Sequence, residues 1–260
     1  MGLATARRLG AGRRIVLGDF SDTVRQEAVD TLKSAGHDVE SHRVNIADYE
    51  SVQAFAQKAA QGGRLEAVVH TAGVSPVTSG PRRLYEINLL GTANVIDAFY
   101  EVIRPGTSVV CIGSLANHHP PPTSPELRRH LATASRAELL QYPELDLDAP
   151  ASESAKVYRL AKFGNLLRVR SSARAYGLKG ARINLISPGI ISTPMGNQEL
   201  EGPGRESMLR LIDQSALRRL GTSDDIANAV AFLTQSESAL ITGTDLLVDG
   251  GIVAGQEWYL

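Results

Sequence analysis

Tyr158 and Lys162 are the two residues of this 260-residue sequence whose types and spacing most clearly suit chemistry. They are four positions apart, so on a helix both side chains lie on one face. A free phenol has a pKa of about 10, and a neighbouring ammonium group favours the phenolate, which brings the phenol towards a useful acid–base range. Alone, such a pair is more often part of a solvated helix face. Whether it is catalytic therefore depends on its position in the fold.

The position of the pair is favourable, because the preceding apolar run, Ser108 to Ile112, ends in Gly113-Ser114. A buried parallel strand ending there would place a small hydroxyl at the carboxyl edge of a sheet, where α/β proteins bind their ligands. Ser114 could then hydrogen-bond a substrate oxygen and stabilise its developing charge. A hydroxyl, a phenol and an ammonium group together suit proton transfer to or from a carbonyl oxygen while a hydride moves.

An acidic residue, Asp19, ends another short predicted strand. A carboxylate at that point is suited to accept hydrogen bonds from the ribose hydroxyls of an adenosine group, and it would repel a 2′-phosphate. The sequence therefore predicts NAD, with NADP still possible because Arg13 or Arg14 could offset the charge. The alternative is that Asp19 only caps a helix, a role that Ser21 or Asp22 could fill equally well.

Short apolar runs alternate with longer amphipathic stretches along nearly the whole chain. This alternation predicts a Rossmann-type α/β fold, a doubly wound parallel sheet in one domain that spans residues 1–260. The predicted strands are Ile15–Gly18, His37–Val39, Leu65–His70, Ser108–Ile112, Ile183–Ile186 and Leu246–Val248. The predicted helices include Val24–Ser34, Tyr49–Ala60, Leu84–Ile103, Ser154–Tyr176 and Ser223–Leu233.

One segment, at about residues 115–150, is too long for an ordinary connection between a strand and the next helix. It begins with a proline-rich stretch, contains a predicted helix from Ser124 to about Leu140, and ends in acidic residues. We interpret it as a partly helical insertion that serves as a cap or interaction arm. Its adjacent His118 and His119 cannot share one face of a helix or strand, so no metal site is predicted.

The composition argues against several classes of partner. A net charge of -1 gives no field that would attract nucleic acid or an anionic membrane. No apolar run approaches the roughly 20 residues that span a bilayer. The single cysteine, Cys111, excludes an internal disulfide framework, and nothing at the N-terminus looks like an export signal, so a cytoplasmic location is expected.

Taken together, these features resemble the short-chain dehydrogenase/reductase family, from residue 1 to about residue 252. The resemblance implies that Tyr158 is the general acid/base, that Lys162 lowers its pKa and binds the nicotinamide ribose, and that Ser114 polarises the carbonyl. It also implies that Asn88, in Ile87-Asn88-Leu89, sustains a water-linked proton relay. Asn88 could instead only satisfy backbone groups between helices.

The resemblance also implies which residues bind the cofactor. His70-Thr71-Ala72-Gly73 stands where the family has Asn-Asn-Ala-Gly, so the glycine is kept and two amides are lost, and Asn45-Ile46 stands where it has Asp-Val. Thr193, after a Pro-Gly stretch like the family's, could alternatively cap a short helix. The expected cofactor contacts are Gly2, Asp19, Phe20, Asn45, Ile46, Thr71, Ala72, Gly73, Tyr158, Lys162, Pro188, Gly189, Ile190 and Thr193.

The first residues, Met1 to Leu9, look like the end of a glycine-rich turn that runs into its helix, with Gly2 as the last glycine. The strand that precedes such a turn in the family is missing, so we expect an N-terminally truncated fold with two exposed strand edges and most of the phosphate-binding turn absent. An ordinary N-terminal helix is the alternative. We favour the interpretation that an internal methionine was taken as the start, which predicts an upstream in-frame strand.

Within the family, the insertion resembles that of bacterial 3α-hydroxysteroid dehydrogenase/carbonyl reductases. It lies beside the helices that usually build tetramers, so a homo-oligomer is expected, with a dimer favoured. The apolar residues of the variable loop from Gly196 to Asp213 predict a small hydrophobic alcohol or ketone as substrate. Two hypotheses follow: an active NAD(P)-dependent oxidoreductase, or a catalytically impaired binding or scaffold protein of the same fold.

Overall fold

The computed structural model describes residues 1–202 and 204–259. The strands are β1 (Arg14–Asp19), β2 (Asp38–Arg43), β3 (Ala67–His70), β4 (Ser108–Ile112), β5 (Arg182–Pro188) and β6 (Asp245–Val248). The α-helices are α1 (Gly2–Leu9), α2 (Asp22–Ser34), α3 (Tyr49–Ala59), α4 (Pro81–Leu84), α5 (Gly91–Val102), α6 (Pro125–Thr133), α7 (Arg136–Leu139), α8 (Ser154–Leu178), α9 (Pro194–Glu201), α10 (Arg205–Gln214), α11 (Ser223–Thr234) and α12 (Ile252–Tyr259). A π-helix, Tyr85–Leu90, lies between α4 and α5. None of the helices described is long and apolar enough to cross a membrane.

The burial of β4 on both faces explains why helices cover both sides of the sheet. Successive side chains of a strand point to opposite faces. Val109 and Cys111 pack into a core with residues of α5 and α8, whereas Val110 and Ile112 pack into a second core with residues of α11. On the same two sides, α3 packs on α5 and α1 packs on α11. The doubly wound α/β architecture predicted from the sequence is confirmed.

The strands form two sheets rather than one. β1 pairs with β2, and β3, β4, β5 and β6 pair in that order, with every pairing parallel. A cavity of about 930 Å³ separates the two sheets, and its walls include Ile15–Asp19 of β1 and all of β3. Within the described residues, no strand lies between β1 and β3. The N-terminal truncation expected from the sequence stays a prediction.

The insertion packs against α8. Its apolar side chains share one buried cluster with the first half of α8, and the members of that cluster include Leu127, Leu131, Leu139, Leu145, Val157 and Leu160. The single helix predicted from Ser124 to about Leu140 is wrong. Ser135 begins a second helix, α7, by accepting a hydrogen bond from the backbone N of Glu138.

The segment from Gly196 to Asp213, predicted as a variable loop, is mostly helical and contains most of α9 and of α10. Thr193 caps α9, because its hydroxyl accepts a hydrogen bond from the backbone N of Gly196 at 3.0 Å. None of the residues of α10 is buried, and only Gly196 of α9 is. These two helices therefore form a lightly packed cover beside the sheet.

Candidate active site

The carboxyl edge of β4 brings the three predicted catalytic side chains together. Ser114 follows this strand almost directly, and Tyr158 and Lys162 lie one turn apart on α8. The Nζ atom of Lys162 is 5.8 Å from the centre of the Tyr158 ring. It donates a hydrogen bond to the backbone O of Ile112 at 3.3 Å, so the ammonium group is fixed to the strand end that carries Ser114.

Burial controls the acid–base properties of this group of residues. Burial raises the pKa of Tyr158 to about 12, and the negative charge of Glu199 adds to this increase. Hydrogen bonding with Ser114 lowers the pKa and opposes both effects. Burial also lowers the pKa of Lys162 to about 8. The lowered Tyr158 pKa expected from the sequence is thus not found, because lost hydration of the phenolate outweighs the hydrogen bond with Ser114.

Asn88 lies in the π-helix, where it is 1% exposed. Its side-chain amide bonds both the backbone N and the backbone O of Val74, each at 2.9 Å. Its own backbone O accepts hydrogen bonds from Thr92 Oγ1 and Asn165 Nδ2, both at 2.8 Å. Asn88 therefore holds the loop that follows β3, which agrees with the simpler of its two interpretations. Its part in a proton relay stays a prediction.

The loop after β3 approaches Lys162 closely because it contains a glycine. A Cβ atom on Gly73 would lie 3.0 Å from Asn88 Oδ1 and 3.6 Å from Lys162 Nζ. His70, which stands in place of the family's asparagine, is buried, and its Nε2 is hydrogen-bonded to Thr92 Oγ1 at 3.1 Å. Burial, and then the charge of Lys162, lowers the pKa of His70 to about 3, so this imidazole is neutral and adds no charge.

The cavity between the two sheets continues into a cleft at their carboxyl edge. Eight of the predicted cofactor contacts line it: Gly2, Asp19, Phe20, Asn45, Ile46, Thr71, Ala72 and Gly73. One carboxylate oxygen of Asp19 accepts a hydrogen bond from the backbone N of Ser21 at 2.8 Å. The hydroxyl of Ser21, not Asp19, caps α2. The cap alternative for Asp19 is therefore wrong, and its carboxyl group lines the cleft.

Arg43 is a charged residue beside this cleft that the sequence reasoning missed. Arg13 and Arg14, either of which could have offset the charge of Asp19, instead form ion pairs with glutamates near the amino end of β1. Arg43 ends β2 as the direct neighbour of Asp19 across the pairing. Its guanidinium lies 5.0 Å from the centre of the half-exposed Phe20 ring. The terminal position in the neighbouring strand was the signal that could have identified it.

Hydrogen bonds on both sides fix the turn after β2. The side-chain oxygen of Asn45 accepts from the backbone N of Ala47 at 3.2 Å. The backbone O of Ile46 accepts from Asn94 Nδ2 at 2.8 Å. The turn is thereby anchored to α5 at the rim of the cleft.

Pro188 ends β5, and Gly189, Ile190 and Thr193 follow it on the catalytic side of the edge. A Cβ atom on Gly189 would be 2.7 Å from the Cα of Asp249, so glycine lets this segment pack against the turn after β6. The segment therefore borders the space next to Ser114 and Tyr158 from the side opposite the β1–β2 sheet.

Two contacts near the site join residues far apart in sequence, and the sequence reasoning missed both. The hydroxyl of Ser75 donates to Glu199 Oε1 at 2.5 Å and ties α9 to the loop after β3. The Nε2 atom of His118 lies 3.2 Å from the carboxylate of Asp245 at the start of β6. Burial raises the pKa of Asp245, and both Ser187 and His118 lower it.

A doubly wound parallel sheet with a cleft at its carboxyl edge and a serine, tyrosine and lysine beside that cleft defines a nucleotide-binding oxidoreductase. Sequence comparison agrees with this class. The family model described as "Enoyl-(Acyl carrier protein) reductase" matches residues 1–126 and 148–253. The chain belongs to the short-chain dehydrogenase/reductase family.

Individual relatives and structures agree with this assignment. A short-chain dehydrogenase/reductase of Alternaria brassicicola is 39% identical over 98% of this chain and 92% of its own length. Cis-4-hydroxycyclohexanecarboxylate dehydrogenase of Sinomonas cyclohexanicum is 27% identical over 98% of this chain and 92% of its own. Levodione reductase has the same fold, with a TM-score of 0.77 and 23% identity over 97% of this chain and 93% of that one. So does a Burkholderia cenocepacia short-chain dehydrogenase in complex with NADP, with a TM-score of 0.74 and 22% identity over 96% of this chain and 92% of that one.

Proposed function

We propose that this protein is an NAD(P)-dependent oxidoreductase that interconverts a secondary alcohol and a ketone. The observation that carries the proposal is the grouping of Ser114, Tyr158 and Lys162 at the carboxyl edge of β4, next to the cleft. The competing hypothesis, a scaffold protein of the same fold, gives no reason to keep a buried ammonium group beside a phenol. Burying a charge costs stability, so a protein without catalytic use for Lys162 would gain from its loss.

The residues of the cleft fit a nicotinamide dinucleotide. Asp19 offers a carboxylate for the ribose hydroxyls of the adenosine half, and Phe20 gives an apolar surface at the adenine end. The charge of Asp19 favours NAD, while the guanidinium of Arg43 beside it leaves NADP possible. Lys162 lies where it can bind the nicotinamide ribose. When bound, the nicotinamide supplies or accepts the hydride.

The protein side chains manage the proton. In ketone reduction, the Ser114 hydroxyl holds the carbonyl oxygen, and the Tyr158 phenol gives its proton to that oxygen as the alkoxide forms. A pKa of about 12 keeps Tyr158 protonated at pH 7, so the ligand-free protein is prepared for reduction. Alcohol oxidation needs the phenolate, and its rate should therefore rise with pH.

A small hydrophobic alcohol or ketone suits the cover formed by α9 and α10. Its Met195 and Leu209 side chains are 36% and 44% exposed, so they are available to a substrate. The names of two similar proteins, cis-4-hydroxycyclohexanecarboxylate dehydrogenase and levodione reductase, favour a cyclic alcohol or ketone as the first compounds to try.

The insertion favours a homodimer. It covers the first half of α8 with the apolar residues of α6 and α7, which removes part of that helix from any contact between subunits. Light scattering of the purified protein should give the mass of a dimer. A tetramer would contradict this part of the proposal.

The test combines nucleotide titration with one variant. NADH and NADPH binding is followed by nicotinamide fluorescence, and turnover is measured with a panel of cyclic ketones. Tyr158→Phe should still bind NADH, because the other cofactor contacts remain, and should reduce kcat by about 10²–10⁴-fold, the usual contribution of a general acid. Tyr142→Phe, in the insertion, is the matched control and should behave as the wild type. Failure to bind either nucleotide, or full activity of Tyr158→Phe, would overturn the proposal.

A further inference from the structure

Glu199 connects the lightly packed cover to the rigid part of the site. Its carboxylate accepts the hydrogen bond from Ser75, a side chain that is only 1% exposed. Ser75 directly follows Val74, whose backbone N and O are both held by the side chain of Asn88. The carboxylate of α9 is therefore bound to a segment that cannot easily move.

The rest of α9 contributes little that would hold this helix against the loop after β3, whereas α10 packs against α9 and α12. Apart from Gly196, neither helix buries a residue. Segments with few buried apolar contacts open locally at low free-energy cost. One charge-assisted hydrogen bond, between Ser75 and Glu199, is consequently a large part of what keeps α9 against the loop after β3.

The same carboxylate acts on Tyr158. The negative charge of Glu199 opposes formation of a second negative charge on the phenol and raises its pKa. The other groups around the phenol are the ammonium of Lys162 on α8 and the uncharged hydroxyl of Ser114 after β4. Opening of α9 would take the Glu199 charge away and leave these two in place.

We propose that Glu199 is a positioning residue that latches α9 over the substrate side of the catalytic tyrosine through Ser75. With the latch closed, α9 shields the reacting atoms from water. The nearby charge of Glu199 also keeps the pKa of Tyr158 high, so the phenol is a weaker acid and the phenolate a stronger base. With the latch open, substrate enters and product leaves. This role rests on the proposed oxidoreductase function.

Two substitutions separate the charge of Glu199 from its hydrogen bond. Glu199→Gln keeps an oxygen that can accept from Ser75 and removes the charge, whereas Glu199→Ala removes both. Glu201, an exposed glutamate on the same helix, supplies the matched controls Glu201→Gln and Glu201→Ala. Two measurements need no turnover. The first is ultraviolet titration of Tyr158, obtained as the difference from the corresponding Tyr158→Phe protein, and the second is hydrogen exchange of the α9 amides.

Both Glu199 variants should ionise Tyr158 at a lower pH than the wild type, and both should oxidise alcohol several-fold faster at pH values below the wild-type plateau. Glu199→Ala should also raise exchange of the α9 amides about tenfold or more, because a hydrogen bond to a charged group is lost, and should raise KM. Glu199→Gln should raise exchange less. The Glu201 variants should match the wild type in every measurement.

Identical titration and exchange in the Glu199 and Glu201 variants would overturn the latch. Shifted titration and exchange in a protein that turns over no alcohol or ketone would overturn the proposed function and leave the latch standing. The two failures are therefore distinguishable.

Discussion

The two sheets of this protein differ sharply in how well they are packed. All five residues of β4 are buried, and so are six of the seven residues of β5, whereas none of the six residues of β1 is buried and only one of β2 is. The four-stranded sheet carries Ser114 and faces Tyr158 and Lys162. The two-stranded sheet carries Asp19 and Arg43 and borders the cavity.

Under the proposed function, this difference separates chemistry from cofactor recognition. The groups proposed to transfer the proton are positioned by strands and a long helix with little freedom to move. The groups proposed to bind the adenosine half of a dinucleotide are positioned by a two-stranded sheet with an unpaired edge on the cavity. Binding a dinucleotide across both regions would couple them, because the ligand would stabilise whichever region is the less stable alone.

Filling the gap between the sheets should have the largest effect. An apolar strand of about six residues and a short glycine-rich turn, added ahead of Met1, should pair with β1 and β3. The apolar burial should raise the free energy of unfolding by about 3 kcal/mol and tighten NADH binding about tenfold. Urea unfolding and fluorescence titration measure these. The control is the same extension with prolines at alternate strand positions, which cannot pair. Equal behaviour of the two extensions would contradict the prediction.

Hydrogen exchange should show the difference between the sheets directly. Amides of β4 and β5 should exchange at least about 100-fold more slowly than those of β1 and β2, because the first pair is buried and paired on both sides. Saturating NADH should slow exchange in β1 and β2 more than in β4 and β5. Equal rates in the unliganded protein would remove the distinction between the two regions.

Lys162 should cost stability in a way that depends on pH. Its pKa is lowered to about 8 in the folded protein from an ordinary value of 10.5, so the unfolded chain holds this proton more tightly. The cost is therefore complete below pH 8 and disappears as the pH rises to about 10.5. Lys162→Met should abolish turnover and yet raise the free energy of unfolding by on the order of 2 kcal/mol at pH 7.

Urea unfolding of Lys162→Met at pH 7 and at pH 10 measures this effect. The exposed Lys156→Met, at the start of the same helix, is the control. A gain in stability that is the same at both pH values would show that the buried charge is not its cause.

Asp19→Ser should have the smallest of these four predicted effects. We expect it to alter nucleotide preference at the β1–β2 sheet only. Removing the carboxylate leaves the guanidinium of Arg43 without a neighbouring negative charge, so the ratio of NADPH to NADH affinity should rise about tenfold, with the rate of the chemical step unchanged. Asp22→Ser, in the first turn of α2, is the control. An unchanged ratio would mean that Asp19 does not face the ribose.

Local sequence patterns predicted those elements whose burial leaves a recognisable pattern of apolar residues. Ser108–Ile112 was predicted to the residue because a strand buried on both faces gives a continuous apolar run. The π-helix at Tyr85–Leu90 was not predicted, because apolar residues continue through it without a break. The break between α6 and α7 depends on one serine cap, which the helical pattern conceals.

The candidate site divides in the same way. Ser114, Tyr158 and Lys162 were found because a strand end and a four-residue spacing place them without further information. Arg43, the Ser75–Glu199 contact and the His118–Asp245 contact join separate elements, and their partners are set by tertiary packing. The raised pKa of Tyr158 was missed because it depends on how deeply the phenol is buried. Burial is set by tertiary packing and cannot be inferred from the spacing of residues.

The cavity of about 930 Å³ also makes the volume of this protein sensitive to its state. Whatever part of the cavity stays dry in the folded protein is lost when the chain unfolds and water reaches its walls. The unfolded state then occupies less volume, and hydrostatic pressure favours it. Because β1 borders the cavity and the β1–β2 sheet is the less buried of the two sheets, compression should release β1 and β2 while β3 to β6 stay folded. Unfolding by heat or urea need not follow that order.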